Sequence, residues 1–266
     1  MELVDSHCHL DAQEFDGDRD QVVARARMAG VHRQLVPAVS AASWPKLRTV
    51  CTATPGLYPA YGLHPVFLAE HRPGHLDELA TWIERERPLA IGECGLDLFV
   101  ETLDPVAQAL YFDGQLRLAR DTGLPVIVHA RRAVDAVIAA IRRIGGAASG
   151  RPSTLRGVVH SFSGSPEQAR QLFQLGFLIG LGGPLTHERA QRLHRLVAGM
   201  PLEFLLLETD APDQPDAGIR GQRNEPARLR TVLDAVARLR GEDPAHVAAA
   251  TTANAERLFA LPLASL

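Results

Sequence analysis

Short apolar runs and longer amphipathic stretches alternate along almost the whole chain. Runs at residues 3–4, 34–36, 57–62, 88–92, 125–128, 157–159, 177–181 and 204–207 predict eight strands. Apolar positions at helical spacing predict helices over 19–29, 41–52, 75–86, 104–121, 134–144, 166–175 and 187–198, one after each of the first seven strands. Two more, from about 225 to 240 and 244 to 259, close the chain. Gly30, Gly123 and Gly176 stand where helices are expected to stop. The run 125–128 is apolar throughout, as a parallel strand covered on both faces should be. The 104–121 helix carries apolar residues at Val106, Ala109, Leu110, Leu116 and Ala119. Eight strands alternating with helices predict an α/β fold, a (β/α)8 TIM barrel with extra C-terminal helices, as a single domain over 1–266. A doubly wound open sheet is the alternative.

The chain has 266 residues, enough for one large α/β barrel, and carries a net charge of −3. That charge argues against a broad basic groove that coats duplex nucleic acid. No apolar stretch reaches the length of a membrane span, and residues 2–5 read as structure rather than as a signal peptide. Three cysteines, Cys8, Cys51 and Cys94, form no CxxC and leave an odd count, so a cytoplasmic location is expected. The Gly/Ala/Ser-rich stretch 145–153 precedes a strand and carries no expected function. The Pro/Gly-rich stretch 211–226 follows the last strand and is the expected substrate-shaping loop.

Chemistry is concentrated where the apolar runs end. His7 and His9 follow the first run, Glu93 the fourth, His129 the fifth, His160 the sixth and Asp210 the eighth. In a parallel barrel those ends share one rim. Residues two apart in an extended chain point the same way, so His7 and His9 can face one ion while Cys8 turns aside. Four imidazoles and two carboxylates suit divalent metal, and six ligands are too many for one catalytic ion with a position open for water. Two ions are therefore expected, one held by His7, His9 and Asp210, the other by His129 and His160, with Glu93 bridging. Mg2+, Mn2+ and Zn2+ all suit this donor set. The one lysine, Lys46, lies in a helix, so a carboxylated lysine is not available as a bridge. Such a pair of ions can activate water and stabilise a leaving oxygen, which predicts a metal-dependent hydrolase. The remaining histidines, His32, His71, His75, His187, His194 and His246, are expected to be solvated. Asp5, Asp97 and Glu208 are candidates for orienting ligands. The segment from Asn224 to Pro226 is expected to cap the following helix.

Six motifs occur in order: Asp5-Ser6-His7-Cys8-His9-Leu10-Asp11, Gly62-Leu63-His64-Pro65, Gly92-Glu93-Cys94-Gly95-Leu96-Asp97, Pro125-Val126-Ile127-Val128-His129, His160-Ser161-Phe162-Ser163-Gly164 and Glu208-Thr209-Asp210-Ala211-Pro212. Together they resemble the TatD family of metal-dependent deoxyribonucleases, of the amidohydrolase superfamily, over essentially the full length. The resemblance implies a TIM barrel, divalent-metal-dependent DNA hydrolysis of a 3′-5′ exonuclease type, and the same six ligands. It further implies that His64 contacts the substrate phosphate. An acidic residue common in the family after the arginine that follows the fifth-strand histidine is absent from His129-Ala130-Arg131-Arg132-Ala133.

On this reading Asp210 accepts the proton of the attacking water, and Glu93 joins it in catalysis. His64 and Arg131 hold the phosphate, and Arg132, Arg220 and Arg223 are further rim cations. The expected substrate is DNA, at single-stranded ends, and the expected state is a monomer with no membrane association. Hydrolysis of a small amide or ester is the alternative, and a non-catalytic metal-stabilised interaction protein the second alternative.

Overall fold

The computed structural model of the chain describes residues 1–146 and 153–262, so most of the 145–153 stretch lies outside the described residues. All eight expected strands form: β1 (Leu3–Asp5), β2 (Val31–Pro37), β3 (Leu57–Tyr61), β4 (Ala90–Asp97), β5 (Val126–Arg131), β6 (Gly157–Val159), β7 (Phe177–Leu181) and β8 (Leu205–Leu207). The helices between them are α1 (Arg19–Met28), α2 (Trp44–Ala53), α3 (His75–Glu86), α4 (Pro105–Thr122), α5 (Val134–Gly145), α6 (Pro166–Gln174) and α7 (Gln191–Gly199). Two helices follow β8: α8 (Leu229–Arg240) and α9 (Pro244–Phe259). The strands stand in the order β1 to β8 within one sheet. That sequential order is the TIM-barrel order. A doubly wound sheet reverses direction at a switch point, which this order lacks. Among the described residues, no helix is long and apolar enough to cross a membrane.

The chain divides into two compact units. The first comprises Met1–Val36, Val50–Tyr58 and Ile179–Leu266. Within it β1 pairs in parallel with β2, Asp5 opposite Gln34, and β7 pairs with β8, Leu181 opposite Leu207. Leu3, Leu205 and Leu206 are buried, together with Val232, Leu233 and Val236 of α8 and Val247, Leu258 and Phe259 of α9. Each such fully buried side chain stabilises the fold by roughly 1.5–3 kcal/mol. Asn254 of α9 donates from Nδ2 to the carbonyls of Leu202 and Leu205, both at 2.9 Å, fixing the entry to β8. The helix itself starts where Asp243 accepts from the Ala245 N–H and Pro244 takes the first turn.

The second unit comprises Pro37–Thr49 and Pro59–Leu178. Parallel pairing runs from β3 through β4 and β5 to β6. Its core joins Ile91, Val126, Ile127, Val128, Val158 and Val159 of the strands to Phe112 and Leu116 of α4 and Val137 and Ile141 of α5, all buried. The α4 surface differs from the apolar stripe read in the sequence. Val106 and Leu110 are 77% and 52% exposed, whereas Gln108 and Gln115 are buried. Both glutamines are retained inside because they bond strand backbone, as shown below.

Four further boundaries depart from the pattern. β4 continues past Gly92 to Asp97 and β5 past Val128 to Arg131, so Glu93 and His129 lie inside strands rather than beyond them. Polar residues facing a site interrupt the apolar run without ending the strand. α7 begins only at Gln191, behind a 3-10 turn at Gly183–Thr186, and α8 begins at Leu229, behind a 3-10 turn at Pro226–Arg228.

Candidate metal centre

In the first unit the chain beyond β1 is zipped to the chain beyond β8. Ser6 donates to the Leu207 carbonyl at 3.0 Å, Asp210 to that of His7 at 2.8 Å, and His9 to that of Ala211 at 2.7 Å. Buried Asp5 reinforces the junction. Its Oδ1 accepts from the His7 N–H at 3.2 Å and the Thr209 N–H at 3.0 Å, and its Oδ2 from the Thr209 hydroxyl at 2.6 Å. Burial pushes the Asp5 pKa up to about 8 against those bonds, and the Glu208 charge adds to the rise. The result is one cluster of His7, His9 and Asp210. The two Nε2 atoms are 3.1 Å apart, and Asp210 Oδ1 lies 3.3 Å from that of His7 and 3.5 Å from that of His9. Cys8 turns the other way, its Sγ donating to Gln34 Oε1 at 3.4 Å. Asp210 stands in the left-handed region at φ 57°, which aspartate tolerates better than most residues. Its Oδ2 accepts from Gln214 Nε2.

In the second unit the register steps from Ile91 opposite Val126 to Cys94 opposite Val128, so β4 carries one more residue than β5 over this interval. The bulge falls at Gly92 and Glu93, and such a bulge re-aims a side chain. Glu93 Oε1 lies 2.7 Å from His160 Nε2, 3.0 Å from His64 Nε2 and 3.2 Å from His129 Nδ1. His160 Nε2 and His129 Nδ1 are 3.4 Å apart. Behind His129 stands Asp97, 1% exposed, whose Oδ2 accepts from His129 Nε2 at 2.9 Å. Burial alone would raise the Asp97 pKa, but His129 and the backbone N–H groups of Val100 and Phe99 outweigh it and lower the value to about 2. Burial likewise lowers the His129 pKa, and the Asp97 and Glu93 carboxylates more than reverse that, leaving it above its ordinary value.

Hydrogen bonds assign the imidazole tautomers. His129 donates from Nε2 to a carboxylate, so in the neutral ring Nδ1 carries the lone pair and faces Glu93. His64 is the reverse. Its Nδ1 accepts from the Val66 N–H at 3.1 Å, so its Nε2 carries the proton and faces Glu93 Oε1. His129 is thus set up to accept a metal ion, and His64 to donate a hydrogen bond.

Several residues that build this site were not legible in the sequence. Gln115 of α4 accepts from the Leu63 N–H at 2.8 Å and donates to its carbonyl at 3.1 Å, holding the chain just before His64. One heptad earlier Gln108 does the same to Asp97, at 2.7 and 3.0 Å. Their burial marks this role, and the sequence carried no signal for it. His71, expected to be solvated, instead places its Nε2 2.8 Å from the His64 carbonyl, and His75 is buried with its Nε2 accepting from Arg72 Nε at 3.0 Å. Asn224 is no helix cap. It is buried, and its Nδ2 donates to the carbonyls of Thr209 and Asp213, both at 2.9 Å, pinning the loop that carries Asp210. Arg223 is committed to Asp18 at 2.7 and 2.8 Å and to the Glu14 carbonyl at 2.6 Å, which removes it from the expected rim cations. Arg220, Arg131 and Arg132 are exposed. Glu208 is fully buried against Gly180, where a Cβ would meet its Oε2 at 2.0 Å.

The donor atoms fit metal. Ligands about 2.1 Å from a single ion lie roughly 3.0–3.4 Å from one another in octahedral or tetrahedral geometry. The spacings within the His7, His9, Asp210 set and within the Glu93, His129, His160 set lie close to that range.

Eight parallel strands in sequential order, with imidazole and carboxylate sets on the strands and just beyond them, define a metal-dependent hydrolase on a TIM barrel. A model of the TatD related DNase family matches residues 4–260, and the chain belongs to that family. It is 40% identical over 262 residues to an uncharacterized metal-dependent hydrolase of Escherichia coli, YjjV, with 98% of each chain covered. It is 33% identical over 268 residues to the 3′-5′ ssDNA/RNA exonuclease TatD of Klebsiella pneumoniae, covering 97% of this chain and 98% of that one. The crystal structure of the Escherichia coli TatD homologue YjjV superposes with a TM-score of 0.91 at 38% identity, again over 98% of both chains. Membership in a hydrolase family sets aside the non-catalytic reading.

Proposed function

We propose that the chain hydrolyses phosphodiester bonds of DNA at single-stranded ends, from the 3′ side, as a single hydrolase domain over 1–266 that works as a monomer. Two divalent ions, Mg2+, Mn2+ or Zn2+, serve the reaction. His7, His9 and Asp210 would hold one and His129 and His160 the other, with the Glu93 carboxylate as a further ligand. The ions supply Lewis acidity, which makes water a nucleophile near neutral pH and offsets phosphate charge. The protein's own groups do the rest. Asp210 takes the proton of the attacking water, its carboxylate steadied by Gln214. His64, whose Nε2 proton faces Glu93 Oε1 in the free protein, turns that N–H to a phosphate oxygen when substrate binds. Arg131, exposed next to His129, adds a cation to the same phosphate. Asp97 keeps His129 in the ligand tautomer.

The observation that carries the reading is the meeting of three imidazoles, His129, His160 and His64, at one oxygen of Glu93, with Asp97 behind His129 and the Val66 N–H behind His64. A phosphodiester needs both a metal ligand and a hydrogen-bond donor at that point. The 3′-5′ ssDNA/RNA exonuclease name of the Klebsiella relative supports the choice of substrate and direction. Three buried cysteines without a disulfide support a cytoplasmic location.

The test incubates purified protein with end-labelled single-stranded DNA and Mg2+ or Mn2+, beside an Asp210→Asn variant. Stepwise shortening from the 3′ end that needs metal and that the variant lacks is expected. No shortening of any strand, with turnover of a small ester or amide, would replace the reading with the small-molecule alternative.

A further inference from the structure

Of the nine phenylalanines only Phe67 and Phe99 are exposed, at 36% and 42%. Both belong to the second unit, and each follows a strand that delivers site residues. Phe67 lies three residues beyond His64, and the two rings meet edge to face at 5.8 Å. Phe99 lies two residues beyond Asp97, next to Leu98, which is 45% exposed. The backbone at Phe99 is held in place. Asp97 Oδ1 accepts from its N–H at 2.9 Å and from that of Val100 at 3.0 Å, and Leu98 donates to the Arg131 carbonyl at 2.9 Å. The other oxygen of Asp97 is the one that orients His129. A single buried carboxylate therefore holds both a candidate metal ligand and the backbone that carries an exposed aromatic ring. Two guanidinium groups lie against that ring, Arg131 at 3.8 Å and Arg132 at 4.6 Å from its centre. Neither arginine side chain is buried, and Arg131 is the residue two beyond His129.

Single exposed rings are ordinary, but of these two one stands against paired cations and the other against the histidine assigned to phosphate. Rings that offer π faces, next to guanidinium groups that meet phosphate, are what unpaired nucleotides require. A paired base presents no free face to such a ring. We infer that Phe67, Leu98 and Phe99, with Arg131 and Arg132, form a stacking subsite for the unpaired nucleobases that adjoin the scissile phosphate. The inference rests on the nuclease reading above and deepens it. It assigns the preference for single strands to named side chains and commits the patch to nucleobases. A second copy of the chain is the competing occupant, and the cation pair argues against it, because a self-complementary contact would set the like charges of Arg131 and Arg132 against their own copies.

The test compares wild type with Phe67→Ala, Phe99→Ala and Phe99→Trp on a single-stranded oligothymidylate, on the same strand with abasic sites at its 3′-terminal positions, and on a blunt duplex. Far-ultraviolet circular dichroism checks that the variants fold. Each alanine variant is expected to raise KM for the thymidylate roughly 5- to 150-fold, the loss of one stacked base, with kcat within about twofold of wild type. Phe99→Trp should restore the wild-type KM. On the abasic strand wild type should already be weakened and the alanine variants no weaker. An unchanged KM for the thymidylate, or an equal loss on the abasic strand, overturns the subsite. So does sedimentation showing a wild-type dimer that Phe99→Ala separates. If wild type cuts no strand at all, the nuclease reading itself fails. If wild type cuts and the variants match it, only the subsite fails.

Discussion

Asp97→Asn is the most discriminating single change in the site. The carboxylate is buried and accepts three hydrogen bonds, from His129 Nε2 and the backbone N–H groups of Phe99 and Val100. Asparagine keeps the shape. Its one carbonyl oxygen remains with the two backbone donors, so its amide nitrogen is turned toward His129. Two N–H groups cannot share that contact, and the imidazole proton moves to Nδ1, the atom facing Glu93. The lone pair on that side is lost. Loss of such a ligand-orienting partner costs about 10- to 100-fold in metal affinity, or roughly 1.4–2.8 kcal/mol. A second effect acts on folding. The Asp97 pKa falls from 3.8 to about 2 on folding, so the group stabilises the fold above its unfolded value and loses that contribution as pH drops through about 2. The contribution is at most about 2 kcal/mol near neutral pH, and the variant lacks it at every pH. Calorimetric titration of metal-depleted protein with Zn2+ measures the first effect, and thermal melts from acid to neutral pH measure the second. Weakening confined to one of two binding steps, with a flatter acid limb in the melts, is expected. Unchanged affinities, or an equal fall in both steps, would falsify the assignment of His129 Nδ1 as a ligand atom.

Further outcomes follow from the supports around the site. Gln115→Leu leaves the Leu63 N–H and carbonyl buried without their partner and should lower stability by roughly 2–4 kcal/mol in denaturant melts, with a rise in KM through His64. Asp216 binds Arg228 at 2.6 and 2.8 Å. Although burial raises its pKa, the guanidinium wins and the value is lowered, so its stabilisation is present above the unfolded value and fades as pH falls through the lower folded one. Asp216→Asn should therefore lower the melting temperature at neutral pH and narrow the gap to wild type in acid. Gly95 has φ 140°, and a Cβ there would stand 2.0 Å from the His129 carbonyl oxygen. Gly95→Ala should cost about 3 kcal/mol or more and reduce soluble yield, whereas Gly74→Ala, with open space around it, should leave the melt within about 0.5 kcal/mol.

What the sequence could reveal here depended on contrast. Strands covered on both faces read as uniform apolar runs, so His7, His129, His160 and Asp210 stood out against Leu3-Val4, Val126-Ile127-Val128, Val158-Val159 and Leu205-Leu206-Leu207. The same contrast misled at the ends of β4 and β5. A site-facing Glu93 or His129 breaks the apolar pattern while the backbone ladder runs on to Asp97 and Arg131. Polar residues whose partners are backbone gave no contrast to read. Gln108 and Gln115 on α4 resemble solvated positions, and only the fold shows that each closes two bonds to a strand end. Histidine identity was least informative of all. His64 and His129 are the same residue type meeting the same carboxylate oxygen, yet a backbone N–H at Nδ1 of one and a carboxylate at Nε2 of the other give them opposite chemistry. The partner on the far side of each ring, two residues or thirty-two residues away in the chain as Val66 and Asp97 are, decides what the near side can do. Ligand sets can therefore be read from position along strands, whereas the division between holding metal and touching substrate is written in the groups behind them.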